Sequence, residues 1–159
     1  MPRKTTKSLV REVQPDRLYN STMVAKLINR VMLSGKKQLA ERLVYDGMQK
    51  AADKLKVQNP LEVFEQAMKN IQPHLETRSR RVGGANYQIP FEVKGQRQQH
   101  LTVMWFVQAV RERGGMPTDE RIAAELVDAY NNVGNAVKKK EDTHRMAEAN
   151  RAFAHFARS

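Results

Sequence analysis

Residues 76–93 read ETRSRRVGGANYQIPFEV, and this stretch predicts a β-hairpin in a chain whose other patterns are helical. Apolar side chains occupy every second position from Tyr87 to Val93, which is strand spacing with one apolar face. The Gly83-Gly84 pair before them favours a tight turn, because glycine readily adopts the positive φ angles that such turns need. A two-stranded ribbon is marginal alone in water, so we expect it to rest on a body and project its tip.

Three arginines, Arg78, Arg80 and Arg81, precede the turn, and Glu76 is the one acidic residue close to them. Guanidinium groups match phosphate oxygens with paired hydrogen bonds, so an arginine-bearing tip suits contact with a nucleic-acid backbone. Taken by itself, the segment fits a solvated surface hairpin better than a phosphate-binding one. The choice therefore depends on the rest of the chain.

The segments outside the hairpin carry helical spacing and predict about six helices. Asn59 and Pro60 form a compact helix start, since asparagine caps helices and proline suits the first helical position. The helix predicted over 97–113 is the most apolar, so we expect it at the centre of a bundle with Trp105 in the core.

The fold class predicted is mainly α, with a protruding β-hairpin arm and a flexible basic N-terminal arm. With 159 residues and no Gly/Ser-rich linker, the chain is predicted to be a single domain spanning 1–159. Within it we expect a basic extended arm at 1–18, the hairpin arm at 74–93, and a C-terminal helix and tail at 135–159.

The charge balance narrows the class of partner. Lys+Arg 28 against Asp+Glu 17 gives a net charge of +11, which favours a polyanion, either nucleic acid or an anionic membrane surface. No apolar run approaches the roughly 18 residues that a membrane span needs, and the N-terminus lacks a signal core. We therefore predict a nucleic-acid partner and no membrane association.

Nothing in the sequence predicts catalysis. The chain has no cysteine, its four histidines form no HExxH pair, and it contains no GxSxG or GxGxxG turn. We predict a protein that is not an enzyme, with no cofactor, no metal and no small-molecule substrate.

The basic residues instead fall in separate clusters along the chain, which suits a large folded RNA contacted at many phosphates. A helical DNA-binding regulator shares the charge and the helices, and it is the alternative. Such a regulator would need a short recognition helix and usually a dimer surface.

Three blocks, SRRVGGANYQIPFEV, FEQAMKNIQP and VKKKEDTHRMAEANRAFAHF, closely resemble the bacterial-type small-subunit ribosomal protein S-seven family (universal ribosomal protein uS-seven). The block GKKQLAERLVYDGM is similar to that family's second helix, less strictly. The resemblance is collinear over essentially the whole chain, and it implies six helices with a β-hairpin arm. The region 94–118 and the last three residues depart from the family pattern.

The resemblance implies a structural constituent of the small (30S) ribosomal subunit, in the cytoplasm, with a plastid ribosome left open. It implies a primary binder of the 3′ major domain of 16S rRNA that nucleates assembly of the subunit head. It also implies a place near the decoding region, the exit-site tRNA and the mRNA, with ribosomal proteins S-nine and S-eleven as neighbours.

Two sets of site residues follow from the basic clusters together with the resemblance. The residues predicted to bind rRNA are Arg3, Lys4, Lys7, Lys36, Lys37, Arg97, Lys138, Lys139 and Lys140. The hairpin residues that the resemblance places near tRNA and mRNA are Arg78, Arg80, Arg81, Gly83 and Gly84.

Overall fold

A computed structural model describes residues 12–158, without the side chains of 157 and 158. This part of the chain forms six α-helices, one antiparallel pair of strands and a terminal 3₁₀ helix. In chain order the elements are α1 (Thr22–Val31), α2 (Lys37–Leu55), α3 (Pro60–Ile71), β1 (Leu75–Val82), β2 (Ala85–Glu92), α4 (Gly95–Glu112), α5 (Thr118–Tyr130), α6 (Asn135–Ala149) and the 3₁₀ helix (Arg151–Arg158). The predicted mainly α class with a hairpin after the third helix is confirmed.

Helix α4 is central, as its apolar sequence predicts. It packs against α1, α3, α5 and α6, and Phe106 is fully buried within it. Trp105 is 5% exposed and belongs to the hydrophobic core, so its ring packs against protein and is not presented to solvent. No helix among the described residues is long and apolar enough to cross a membrane.

Helices α2 and α5 approach each other closely at Gly47. A Cβ atom there would lie 2.6 Å from Cγ2 of Ile122, closer than real carbon atoms approach, so glycine is required by space. Lys50 pairs with Asp119 across the same contact, at 2.5 Å. This contact fixes α5, whose next turns carry the buried charge described below.

The start of α3 forms as the sequence predicts. Oδ1 of Asn59 accepts a hydrogen bond of 3.0 Å from the backbone N–H of Leu61, and Pro60 occupies the first helical position. The capping bond satisfies one of the N–H groups that a helix start leaves without a partner.

Asp16 anchors the segment before α1 to the helical body. Its carboxylate accepts backbone N–H bonds from Leu18, Tyr19 and Ser21 at 2.8–3.0 Å, and a bond of 3.1 Å from the hydroxyl of Tyr45. Burial alone would raise the pKa of Asp16, but these hydrogen bonds outweigh it and hold the pKa below its usual value. Part of the segment predicted as an extended arm is therefore tied to α2.

A buried ionic cluster joins α5 to the start of α6. Glu125 is fully buried, and its Oε2 accepts bonds of 2.8 and 2.6 Å from Nε and Nη2 of Arg113. Its Oε1 accepts a bond of 3.0 Å from the backbone N–H of Ala136, the second residue of α6. Asp128 pairs with the same guanidinium. One carboxylate thus holds the first turn of the helix that carries Lys138 and Lys139.

Candidate nucleic-acid interface

The hairpin turn has the geometry that its sequence predicts. Val82 pairs with Ala85, which leaves Gly83 and Gly84 as a two-residue loop with φ angles of 57° and 92°. Positive φ at both positions is the requirement of a type I′ turn, whose twist matches that of the flanking strands. Nothing lies within 4 Å of a Cβ built at either glycine, so the backbone angle, not space, requires them.

The register of the hairpin divides the three arginines between two faces. Arg78 pairs with Ile89 and Arg80 with Tyr87, and directly paired residues lie on the same face of a ribbon. Arg81 pairs with Asn86 and belongs to the opposite face. The Arg81 side chain is exposed and makes no hydrogen bond or ion pair with the described residues, so it is the hairpin arginine most available to a partner.

The sequence predicts that Arg97 binds rRNA and that Arg78 lies near tRNA and mRNA. In the structure both arginines bond to the carboxylate of Glu76. The Glu76 side chain is 8% exposed and accepts bonds from Nε of Arg78 at 2.6 Å and from Nη2 of Arg97 at 2.9 Å. The Arg78 guanidinium also lies 5.2 Å from the ring centroid of Phe91. Both arginines stay at least half exposed, so the cluster locks the base of the hairpin to α4 while still facing solvent.

The Glu76 cluster predicts a pH dependence. Burial alone would raise the pKa of Glu76, but bonds from Arg97 and Arg78 outweigh it and hold the pKa below its usual 4.5. A lowered folded-state pKa contributes stability above the unfolded value and loses it as pH falls through the folded value. We expect Glu76→Gln to lower the free energy of unfolding by about 1 kcal/mol at pH 7, and the deficit to shrink below about pH 4.5.

Urea unfolding of both chains from pH 7 to pH 3 checks this prediction. Glu92→Gln is the matched control, because it removes an exposed carboxylate paired with Lys94 at the same end of the hairpin. Solvent screens that pair, so its removal should matter less than removal of Glu76. A stability deficit of Glu76→Gln that is constant across the pH range would contradict the lowered pKa of Glu76.

The terminal 3₁₀ helix packs against β2. The ring centroid of Tyr87 lies 4.9 Å from that of Phe153 and 5.6 Å from that of Phe156. Nη1 of Arg80 donates a bond of 3.0 Å to the backbone carbonyl of Phe156. The last segment of the chain therefore braces the hairpin, and the direction of its tip depends on this aromatic contact.

Removal of the Tyr87 ring should loosen the hairpin. Aromatic pairs contribute about 0.5–1.5 kcal/mol each beyond their buried area, so Tyr87→Ala should raise amide exchange over 81–86 roughly tenfold. Hydrogen–deuterium exchange of the full chain measures the effect. Tyr87→Phe keeps the ring and should exchange like the original chain, and equal exchange in the alanine variant would show that the contact does not brace the hairpin.

The predicted lysine clusters lie at the starts of two helices. Lys36 is the residue just before α2 and makes no side-chain capping bond, Lys37 is the first residue of the helix, and both are exposed. Lys138 and Lys139 are exposed near the start of α6, which packs against both hairpin strands. Lys140 differs, because its Nζ donates a bond of 2.6 Å to the backbone carbonyl of Asn70. Arg3, Lys4 and Lys7 lie outside the described residues.

A groove between α1 and α4 contains basic residues that the sequence reasoning missed. Its volume is about 680 Å³, and its walls include Lys26, Arg30, Gln99 and His100, with Glu12 at one side. Nζ of Lys26 donates to the amide oxygen of Gln99. Lysine and arginine beside amide groups suit phosphate and base edges of RNA.

The spacing of Lys26 and Arg30 is a signal that could have revealed the groove. They lie four residues apart, which places them on one face of α1. Leu27 and Ile28 are buried on the other side of the same helix. Nη2 of Arg111 donates a bond of 3.2 Å to the backbone carbonyl of Arg30, so the basic surface continues onto the end of α4.

Within 12–158, no group of three or more His, Asp or Glu side chains could hold a metal ion. The donors of this surface are lysine, arginine and amide groups, which suit an anion.

A helical body with an arginine-bearing hairpin and a basic groove defines a protein suited to a folded polyanion. Residues 2–151 match the family described as ribosomal protein S7p/S5e. Small ribosomal subunit protein uS7 of Symbiobacterium thermophilum is 59% identical over 146 residues, covering 92% of this chain and 93% of that protein. The uS7 protein of Chloroflexus aggregans is 55% identical over 148 residues, 93% and 94% of the two chains. The uS7 protein of Kosmotoga olearia is 55% identical over 150 residues, covering 94% of this chain and 96% of that protein.

The chain belongs to the ribosomal protein S7p/S5e family. The family resemblance predicted from the sequence blocks is confirmed, and so is the prediction that the protein is not an enzyme, because members of the family are structural ribosomal components. The matched region includes 94–118, where the sequence departs from the family pattern.

Proposed function

We propose that this chain is a structural constituent of the small ribosomal subunit that binds the 3′ major domain of 16S rRNA and nucleates assembly of the subunit head. Family membership along nearly the whole chain supports the ribosomal role. The observation that carries rRNA binding is the α1–α4 groove, which presents Lys26, Arg30 and His100 around a cavity large enough for part of an RNA strand.

Docking to rRNA proceeds through phosphate contacts dispersed around the helical body. Exposed lysines at the starts of α2 and α6 and the basic groove release counterions when they neutralise phosphates, which makes binding strongly salt-dependent. The N-terminal residues Arg3, Lys4 and Lys7 belong to the same predicted set. The number of phosphate contacts determines the affinity, and the shape of the RNA determines where on the RNA the protein docks.

Reconstitution of the small subunit from rRNA and purified proteins tests the assembly role. Particles assembled without this chain should lack chemical protection of the 3′ major domain and should not recruit the other proteins of the head. Addition of the chain should restore both. Normal head assembly in its absence would refute the nucleating role.

The hairpin has a different role in this proposal, near the exit-site tRNA and the mRNA. Deletion of 78–86 should leave rRNA affinity within about threefold, because the groove and the helix-start lysines remain. Ribosomes that carry the deletion should release exit-site tRNA faster or shift frame more often. Loss of rRNA binding on deletion would overturn this division.

Arg81→Ala is the point variant for the same test. It keeps the turn, the Glu76 cluster and the Tyr87 contact, and it removes an exposed guanidinium from the tip. It should affect exit-site tRNA retention without changing head assembly. Ribosomal proteins S-nine and S-eleven are the proposed protein neighbours in the assembled head.

A further inference from the structure

A second cavity, of about 450 Å³, lies apart from the α1–α4 groove, where the C-terminal ends of α3 and α5 meet α6 and the start of β1. Its walls carry two lysines, Lys69 and Lys140, and two histidines, His74 and His144. The other walls are the polar side chains of Asn70, Gln72 and Asn132. No carboxylate is among these lining residues, so the cavity is polar and has positive charge without a compensating acid.

Side-chain bonds to backbone carbonyls join the elements around the cavity. Nδ2 of Asn70 donates to the carbonyls of Ala129 and Tyr130 at 2.8 and 3.0 Å, which joins α3 to the end of α5. Lys140 donates to the carbonyl of Asn70 at 2.6 Å, which uses one of its three donors. The ammonium group therefore stays at the cavity wall with donors left for a ligand.

The two histidines that line the cavity contact each other. The backbone N–H of His74 donates a bond of 3.1 Å to Nε2 of His144, and the two rings stack with centroids 6.1 Å apart. Burial, then the neighbouring charges of Lys140 and His74, lowers the pKa of His144. A neutral ring that accepts at Nε2 carries its proton at Nδ1, and it is therefore a donor as well.

No carboxylate among the described residues forms an ion pair with the two lysines of this cavity. Neither Lys69 nor Lys140 forms an ion pair there, whereas Lys50, Lys94 and Arg113 all do. The acids of α6, Glu141, Asp142 and Glu148, do not line the cavity. Lysines left unpaired beside neutral donors suit a phosphate group, which has several acceptor oxygens and a negative charge.

We propose that this cavity is a phosphate-binding site that takes one phosphodiester of RNA, held by Lys69 and Lys140 with the rings of His74 and His144 beside it. The inference rests on the proposed rRNA-binding function and extends it to Lys69, His74 and His144, none of which is among the residues predicted to bind rRNA. The site would be a second anchoring point, separate from the α1–α4 groove.

Histidine NMR of the full chain tests the site with inorganic phosphate as the probe. Phosphate replaces chloride at constant ionic strength, and the ring signals of all four histidines are followed. We expect saturable shifts at His74 and His144, and a rise in the pKa of His144, because a nearby anion favours the charged ring. His155, which lines neither this cavity nor the α1–α4 groove, is the internal control. Equal, non-saturating shifts at all four rings would overturn the proposal.

RNA binding distinguishes a phosphodiester ligand from free phosphate. Lys69→Gln should make the slope of log affinity against log salt for the 3′ domain less negative by about 0.7–0.9, the loss of one contact. Lys54→Gln removes an exposed lysine of α2 that does not line the cavity, and it should leave the slope closer to the original. Phosphate shifts without any effect of Lys69→Gln on RNA binding would refute the phosphodiester assignment.

The two tests separate this inference from the proposed function. If the original chain does not bind rRNA, the proposed function fails, while phosphate binding by the cavity is still decided by NMR. If the original chain binds rRNA and Lys69→Gln binds with the same slope, the proposed function stands and the inference is wrong.

Discussion

Replacement of Glu125 by alanine should lower the free energy of unfolding by about 3–5 kcal/mol, a large part of the roughly 5–15 kcal/mol that stabilises a typical domain. The variant leaves the Arg113 guanidinium with Asp128 alone, and it leaves the buried N–H of Ala136 without an acceptor. Burial alone would lower the pKa of Arg113, but the two carboxylates outweigh it and raise that pKa. Urea unfolding followed by circular dichroism measures the loss.

Two further variants show whether the loss of stability in Glu125→Ala comes from the lost charge or from the lost packing. Glu125→Gln keeps the shape and an acceptor for Ala136, so it should cost less than the alanine variant. Glu120→Ala removes an exposed acid of the same helix, 3.8 Å from Lys50, and should cost less than about 1 kcal/mol. A loss below about 1 kcal/mol for Glu125→Ala would show that the cluster does not hold α6 in place.

Neutralisation of the α1–α4 groove should produce the largest loss of RNA affinity. Lys26→Gln combined with Arg30→Gln removes two phosphate contacts, so the slope of log affinity against log salt should become less negative by about 1.4–1.8. At about 0.1 M salt this corresponds to roughly 10- to 100-fold weaker binding. Filter binding to the 3′ domain of small-subunit rRNA measures both quantities.

The control for this pair has the same change in net charge. Arg42→Gln combined with Lys54→Gln removes two exposed cations of α2, which do not line the groove. It should weaken binding much less. Equal losses for the two double variants would mean that total charge, not the groove, determines affinity, and the groove would lose its proposed role.

Local signals account for the parts of the fold that the sequence predicts well. The Gly83-Gly84 turn and the period of two beyond it specify a hairpin through backbone angles and alternation, which depend on neighbouring residues only. The Asn59-Pro60 start of α3 is equally local. Helix α4 is predictable as central because its apolar residues cover most of its circumference.

The alternation of side chains along a strand also predicts that Arg81 and Arg78 lie on opposite faces of β1. Residues an odd number of positions apart lie on opposite faces of a strand, so the three arginines never formed one cluster. The register makes Arg81 the arginine to test at the hairpin tip.

The remaining features depend on contacts between distant residues. Glu76 shares its carboxylate between Arg78 and Arg97, and nothing local indicates that a residue of α4 reaches the base of the hairpin. Glu125 is an acid in a charged helix, yet its place beside Leu126 and one turn after Ile122 puts it on the buried side. The phosphate-site residues come from three separate elements and meet only in the fold.

Binding of the purified full chain to the isolated 3′ major domain of small-subunit rRNA, across a salt series and with duplex DNA as competitor, tests the central claim most directly. The proposed function predicts tight binding that persists with excess duplex DNA and falls steeply and linearly in log affinity against log salt. Weak binding that DNA removes as readily as rRNA, or an affinity that does not change with salt, would contradict it.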